Sequence, residues 1–181
     1  MTATWQAIEP PTIPINTFYV LDRWRATDSD ALRRFDLDPQ TARFFGWTVE
    51  QAQVKPDSHY DGHEREQANL HAWREGNRLS LAIRRRSDSE AVGWVELRRD
   101  GETANVSYMV AADLRGQGIA PRALGALLAW SAKRIGLQHV HLVCHVDNRA
   151  SQRVAEKCGF VFLGQEGDEY QFKLNLDPTP L

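Results

Sequence analysis

The chain has 181 residues, 42% of them apolar and 25% charged, with a formal net charge of −2. That length suggests one domain with a core that needs no disulfide or metal staples, and the near-balance of charge excludes a global basic field of the kind that recruits nucleic acid. Two cysteines, Cys144 and Cys158, make neither a disulfide framework nor zinc spacing, so a reducing, cytoplasmic compartment is expected.

Residues 1–15 read as an extended arm with Pro10, Pro11 and Pro14. They lack a basic segment followed by an apolar one, so no signal peptide is expected. Nor is membrane insertion, since no apolar run approaches the roughly 18 residues of a spanning helix. Residues 17–25 are rich in β-formers and predict a first strand. A helix follows to about Phe35, after the cap-forming cluster 27–30. Asp38-Pro39 opens another helix, which carries Phe44 and Phe45 and stops at Gly46. Thr48 and Gln51 have capping-box spacing. A longer helix is predicted from about His59 to Glu75, beyond Pro56. Residues 79–85, 91–99 and 103–110 then read as an antiparallel meander with turns at 87–90 and 100–101. Arg84-Arg85-Arg86 and Arg98-Arg99 each close one of these strands and read as solvated hairpin tips. The Gly-rich loop 115–118 leads into a helix with Pro121 in its first turn and Leu124, Leu127, Leu128 and Ile135 at helical spacing. Residues 139–146 predict a central strand, 148–157 a short helix closed by Gly159, and 160–165 with 170–176 a final hairpin. The expected fold is α/β of the α+β type: a mixed, mostly antiparallel sheet with helices on both faces, in a single domain over residues 16–181.

The loop carries the chemistry. Glycines at 116 and 118 let the backbone turn tightly and approach a ligand without Cβ obstruction. The helix that follows leaves its first N–H groups unpaired, an anion site reinforced by its dipole. Arg115 adds a guanidinium fork suited to phosphate. A phosphate-bearing ligand and a bare connector are equally compatible with the loop alone. The missing lysine argues against a Walker A loop, and Pro121 at the position of a third glycine argues against a dinucleotide fingerprint.

Tyr108-Met109-Val110, Arg115-Gly116-Gln117-Gly118-Ile119-Ala120, and Asn148-Arg149-Ala150-Ser151 with Gly159-Phe160, at their separation along the chain, resemble the GNAT superfamily of acetyltransferases. Within it the sequence is most similar to the ribosomal-protein alanine acetyltransferase (RimJ/RimL-like) branch, over residues 17–176. The resemblance implies an acyl-CoA N-acyltransferase fold and acetyl-CoA as co-substrate. It implies that Met109 and Val110 lie on the strand whose backbone pairs with the pantetheine arm, that the amides of Arg115, Gly116, Gln117, Gly118, Ile119 and Ala120 hold the pyrophosphate, and that Asn148 lies beside the pantetheine with Ser151 near the thiol. It also implies direct transfer to the amine, without an acyl-enzyme, and is compatible with a homodimer, a state common among similar proteins. One departure is Asp113, where the family pattern has Gln or Arg.

Acetyl transfer needs a neutral amine, hence a base or water chain, reactants in attack geometry, and a donor for the oxyanion, for which the N–H of Val110 is a candidate. Ser151 is the candidate on the leaving-group side, with helix capping as its bland role. Tyr108 reads as a core aromatic. In similar proteins a glutamate stands three residues before this aromatic; here Asn105 does, which leaves Glu96, Glu102 or a relayed water as base. His59 with His63, and His139, His141 and His145, do not make the convergent set a metal needs, so no metal is expected. Cys144 reads as an inert thiol in an apolar strand, and Cys158 as packing. Segment 47–77, with tryptophans at 24, 47, 73 and 94, is expected to shape the acceptor groove or the core. The acceptor is a protein N-terminus or a small-molecule amine; a non-catalytic acyl-CoA-binding module is the reading from another class.

Overall fold

The computed structural model describes residues 9–176. Eight strands form one sheet in the order β1-β2-β3-β4-β5-β6-β8-β7: β1 Ile13–Pro14, β2 Tyr19–Asp22, β3 Arg78–Arg85, β4 Ala91–Asp100, β5 Thr103–Val110, β6 His139–His145, β7 Val161–Glu166 and β8 Glu169–Asn175. Every pairing is antiparallel except β5 with β6, which run parallel and pair only from Thr103–His139 to Asn105–His141. Beyond that point β6 keeps its pairing with β8 as far as His145, and β5 its pairing with β4 as far as Val110. The two parallel strands therefore diverge, and the sheet opens into a V.

Side-chain alternation assigns each strand residue to one of two faces. Leu79, Leu81, Val95, Leu97, Val106, Val140 and Leu142 belong to the larger core. It is closed by α5 (Ile119–Ile135) and α6 (Arg149–Lys157). Leu124, Leu127 and Ile135 of α5 are fully enclosed there, and each such burial contributes roughly 1.5–3 kcal/mol relative to exposure. Ala82, Trp94 and Met109 face the other way, against Trp24 and against Leu32 and Phe35 of α1 (Ser29–Asp36). α2 (Pro39–Phe45) and α3 (Val49–Gln53) follow α1, and α4 (Gly62–Arg74) reaches the larger core through Trp73, which packs on Trp130 of α5.

Local chemistry explains the boundaries. Asp38 caps α2 by accepting from the Thr41 amide, and Gly46 ends it at φ 86. Thr48 and Gln51 form the expected capping box. The helix expected from His59 begins at Gly62, because Pro56 starts a separate 3-10 turn over Asp57–Tyr60 and Asp61 supplies the cap. A Cβ on Gly62 would lie 2.5 Å from the carbonyl oxygens of Arg25 and Ala26, so glycine lets α4 seat against that turn. The first strand is shorter than the residue types implied, since residues 26–28 coil into a 3-10 turn. Within the expected N-terminal arm, Ile13 and Pro14 pair with Leu21 and Val20; residues 1–8 lie outside the described residues.

Arg84 is not at a solvated tip: it is 2% exposed, and its guanidinium donates to both carboxylate oxygens of Asp28, at 3.0 and 2.9 Å. A β-bulge between Ile83 and Arg84 turns it inward. Arg85 and Arg86 are the surface members of the run.

Candidate active site

The opening of the V holds a cavity of about 310 Å³, lined on its strand walls by residues 106–110 of β5 and 142–145 of β6. The backbone of β5 faces it in alternation. Ala111 donates to Val92 across the β4–β5 pair at 2.9 Å, which fixes the phase of the antiparallel ladder: Met109 turns its N–H and C=O to β4, while Tyr108 and Val110 turn theirs to the open side. Of the two residues expected to pair with a ligand arm, only Val110 offers its N–H to the cleft; Met109 contributes its position. Gly93 makes this tight pairing feasible, since a Cβ there would meet the Met109 carbonyl oxygen at 2.3 Å.

At the wide end lies the glycine loop. Gly116 and Gly118 both have positive φ, 80 and 73, a region costly for other residues. The Arg115 amide bonds back to Ala112. The amides of Gly116, Gln117 and Gly118 make no hydrogen bond among the described residues. Those of Ile119 and Ala120 precede the first intrahelical bond of α5, and Pro121 has none. Five consecutive amides are thus left for an anion. The Arg115 side chain is not part of that set, contrary to its reading as a phosphate fork. Its guanidinium is committed to Asp38 at 2.5 Å, Gln40 at 2.8 Å and Thr41 at 3.1 Å, with Nε on the Val110 carbonyl at 3.1 Å. It ties the loop to the cap of α2. Partial burial works against the ionised Asp38, but hydrogen bonds from Arg115 and Thr41 outweigh it and hold the carboxyl below its ordinary value.

On the α6 side, Ser151 and Tyr108 meet. Their hydroxyls are 2.7 Å apart, and both residues line the cavity. Tyr108 is therefore a wall of the cleft rather than the simple core aromatic expected. Burial pushes its phenol well above the ordinary value, with a smaller rise from the Cys144 and Cys158 thiols opposing the bond from Ser151. Ser151 does not cap its helix; the cap is Asn148, whose side chain accepts from the Ser151 amide at 3.1 Å. Asn148 is at the cavity wall as expected, but this bond occupies its Oδ1. Cys144 shares the same wall, its thiol raised by burial. Cys158, raised by burial to about 11, packs against the Pro121 carbonyl.

The opposite side of the V is built from α2 and the tryptophans. Phe44 and Phe45 line the cavity. Phe45 packs on Trp47 and Trp94 at 5.5 Å each, and Phe44 faces His145 at 6.2 Å. Trp24 and Trp73, by contrast, are core. His145 Nδ1 accepts from the Asp147 amide at 3.0 Å, so in the neutral ring Nε2 carries the proton and is a donor. Glu96 is not among the cavity walls. It sits on β4 opposite Ser107, 3.6 Å from Arg98, and Arg98 in turn donates to the Ser107 hydroxyl at 2.5 Å. Phe44 and Phe45 were visible as helical aromatics but carry no sequence pattern that marks a site. Among the described residues no group of three metal-binding side chains converges, and no helix is long and apolar enough to cross a membrane.

A sheet split between two parallel strands, with free amides of a glycine loop at one end of the gap and paired hydroxyls inside it, is the architecture of an acyl-CoA-dependent N-acyltransferase. A family model described as an acetyltransferase (GNAT) domain matches residues 19–161, and the chain belongs to that family. Among solved structures it is similar to a complex of coenzyme A with RimL, a ribosomal L7/L12 alpha-N-protein acetyltransferase, with 21% identity over 93% of this chain and 100% of the other at TM-score 0.78. It is similar to a ribosomal-protein-S5-alanine acetyltransferase from Vibrio fischeri, with 14% identity over 92% and 97% at TM-score 0.77. It is also similar to the microcin C7 self-immunity acetyltransferase MccE in complex with acetyl-CoA and AMP, with 19% identity over 92% and 97% at TM-score 0.76. A search of curated protein sequences finds no match.

Proposed function

We propose that this protein moves the acetyl group of acetyl-CoA directly to a primary amine, on a protein N-terminus or a small molecule. The observation that carries the reading is the cleft itself. It joins five unpartnered amides at residues 116–120 to the Tyr108–Ser151 hydroxyl pair along one strand edge, as a ligand with a pyrophosphate at one end and a thioester at the other requires. Known structures of the same fold hold coenzyme A or acetyl-CoA.

In this reading the amides of residues 116–120 hold the pyrophosphate, and the Val110 N–H bonds the pantetheine arm or the thioester carbonyl as charge develops on it. The amine enters from the side of Phe44 and Phe45, attacks the thioester carbon, and expels the thiolate. Ser151 and Tyr108 receive that sulfur. A phenol raised above its ordinary value of about 10 is a weaker acid than a thiol of about 8.5, so Tyr108 supplies a hydrogen bond to the thiolate, through Ser151, rather than its proton. Glu96 acts at one remove, by holding Arg98 on Ser107. The proton of the amine leaves to water on the open side.

Thermal unfolding with and without acetyl-CoA tests the coenzyme site. A saturating ligand at a hundredfold its Kd adds about 2.7 kcal/mol, which for a chain of this size raises Tm by roughly 5–10 °C. No shift at millimolar acetyl-CoA would remove the basis of the assignment. Release of free thiol on adding amines then tests transfer.

A further inference from the structure

Resting on that proposed reading, we infer that the open face of the sheet selects acceptors in which the reacting amine is followed by acidic residues, that is, an acidic peptide segment. Arg78 of β3 stands opposite Arg98 of β4, Arg98 opposite Asn105 of β5, Asn105 opposite His141 of β6, and His141 opposite Lys173 of β8. Alternation places all five on the face of Trp94 and Met109. They form one straight row across five strands, about 19 Å long at the usual strand spacing of roughly 4.8 Å.

The position of the row matters as much as its charge. Asn105 and His141 are the last paired residues before β5 and β6 separate. The row therefore crosses the sheet at the closed end of the V, about 7 Å along the strands from Ser107 and Val143 at the cavity wall. The coenzyme fills the cleft from the glycine loop at its wide end. An acceptor whose amine reaches the thioester from the opposite face has this row to lie along.

Within the row, Arg98 has a counter-ion in Glu96, but the cations at its two ends do not. Among the described residues neither Arg78 nor Lys173 is in an ion pair, and Arg78 Nε is buried without a hydrogen-bond partner. Arg65 of α4 adds a fourth cation. Burial lowers its pKa and the nearby Arg78 charge lowers it further, while Asp36 and Glu96 offset only part of this. Against Arg65, Arg78, Arg98 and Lys173 stand Asp36 near Arg65, Glu96, 3.6 Å from Arg98, Asp100 one step further along β4, and Glu169 of β8, four residues from Lys173 and opposite His145. Arg78 and Lys173, at the two ends of the row, are the cations left without an ion pair among the described residues. A small acidic amine would meet one of these cations. An extended peptide, at roughly 3.4 Å per residue, spans the row with five or six residues. The row carries a single ring, the His141 imidazole, where single-stranded RNA calls for a series of rings under successive bases, which favours a peptide.

The test is equilibrium binding to the coenzyme A-saturated protein. The probes are fluorescently labelled peptides with the same N-terminal serine, carrying acidic, amide or basic residues at positions two to five, together with an oligouridine. The acidic peptide is expected to bind about three- to tenfold more tightly than the amide peptide at low ionic strength, and the gap to close in about 0.5 M salt, where screening is nearly complete within a few ångströms. Arg78→Gln with Lys173→Gln should bring the gap below about twofold, and Lys173→Gln alone, at a half-buried strand position, should narrow it. A rise in Tm with coenzyme A reports that each variant is folded. Equal binding of acidic and amide peptides, preference for the basic peptide, no binding of any peptide, a gap that survives the double substitution, or tighter binding of the oligouridine overturns the inference. Loss of the coenzyme-induced Tm shift in the unsubstituted protein would instead overturn the acetyltransferase assignment, so the two failures are distinct.

Discussion

The two sides of the V are made differently. In the proposed reading the coenzyme side works through backbone: the N–H of Val110 and the amides of residues 116–120, held by positive-φ glycines and the first turn of α5. On the proposed acceptor side the working groups are side chains, Phe44, Phe45, Trp94 and His145, drawn from α2, β4 and β6. A backbone site demands particular residues at particular offsets, because only glycine occupies those conformations cheaply. A side-chain site demands only that some group of suitable shape be present. Arg115 joins the two, since its guanidinium links the loop to the cap of α2.

The sharpest way to break this division is at Gly118. A Cβ there would have ordinary room, with Arg122 at 3.7 Å, so the cost of substitution is conformational. Valine at φ 73 is forced into a region that costs roughly 1–2 kcal/mol or more, or the loop shifts and turns its amides away. Gly118→Val is expected to raise the Kd for acetyl-CoA by at least about tenfold while the amine KM changes little. Isothermal titration with acetyl-CoA checks the first part and initial-rate kinetics the second. An unchanged Kd would mean that the amides at 116–120 do not hold the coenzyme.

The same division explains what the sequence disclosed. Meander, glycine loop and helix caps were legible because each depends on local offsets: Asp38-Pro39, Thr48 with Gln51, and Gly46 all act where their spacing put them. The positive-φ glycines at 116 and 118 were legible in the loop motif for the same reason. Arg84 and Arg115 were misread because a guanidinium takes its meaning from its partner, and Asp28 and Asp38 lie 56 and 77 residues away in sequence. Tyr108 was misread because inward alternation looks alike for a core residue and for the wall of a cleft, and the two differ only in whether β6 closes over it. The row from Arg78 to Lys173 became visible only with the register of five strands.

Ser151 separates the steps within the coenzyme side. Ser151→Ala removes the hydroxyl that meets Tyr108 but leaves the Asn148 cap on the amide of residue 151 intact. The expected result is a fall in kcat of about tenfold, the scale of one hydrogen bond to a developing charge, with acetyl-CoA affinity nearly unchanged. Glu96→Gln, outside the cavity, should lower kcat by less than about threefold. If the glutamine variant were the weaker enzyme, Glu96 would be the base and the water route would fall.

The smallest effect tests the link between the sides. Asp38 is held below its ordinary pKa in the folded protein, where hydrogen bonds from Arg115 and Thr41 outweigh the opposing cost of partial burial. A group with a depressed folded-state pKa binds its proton more readily when unfolded, so its contribution is fully present above the unfolded value of about 3.9 and fades as pH falls through the folded one. Asp38→Asn removes this dependence and exchanges a charged cap for a neutral one. The variant should lose about 1 kcal/mol at pH 7, and its deficit relative to the unsubstituted protein should shrink between about pH 4 and pH 2. Urea unfolding across that range, under conditions where both proteins refold, measures the convergence. Because Asp38 also fixes Arg115 against the Val110 carbonyl, the same variant should weaken acetyl-CoA binding two- to fivefold, about 0.4–1 kcal/mol. A stability loss with no change in coenzyme affinity would mean that Arg115 holds α2 in place without positioning the loop, and that the two sides of the cleft are built independently.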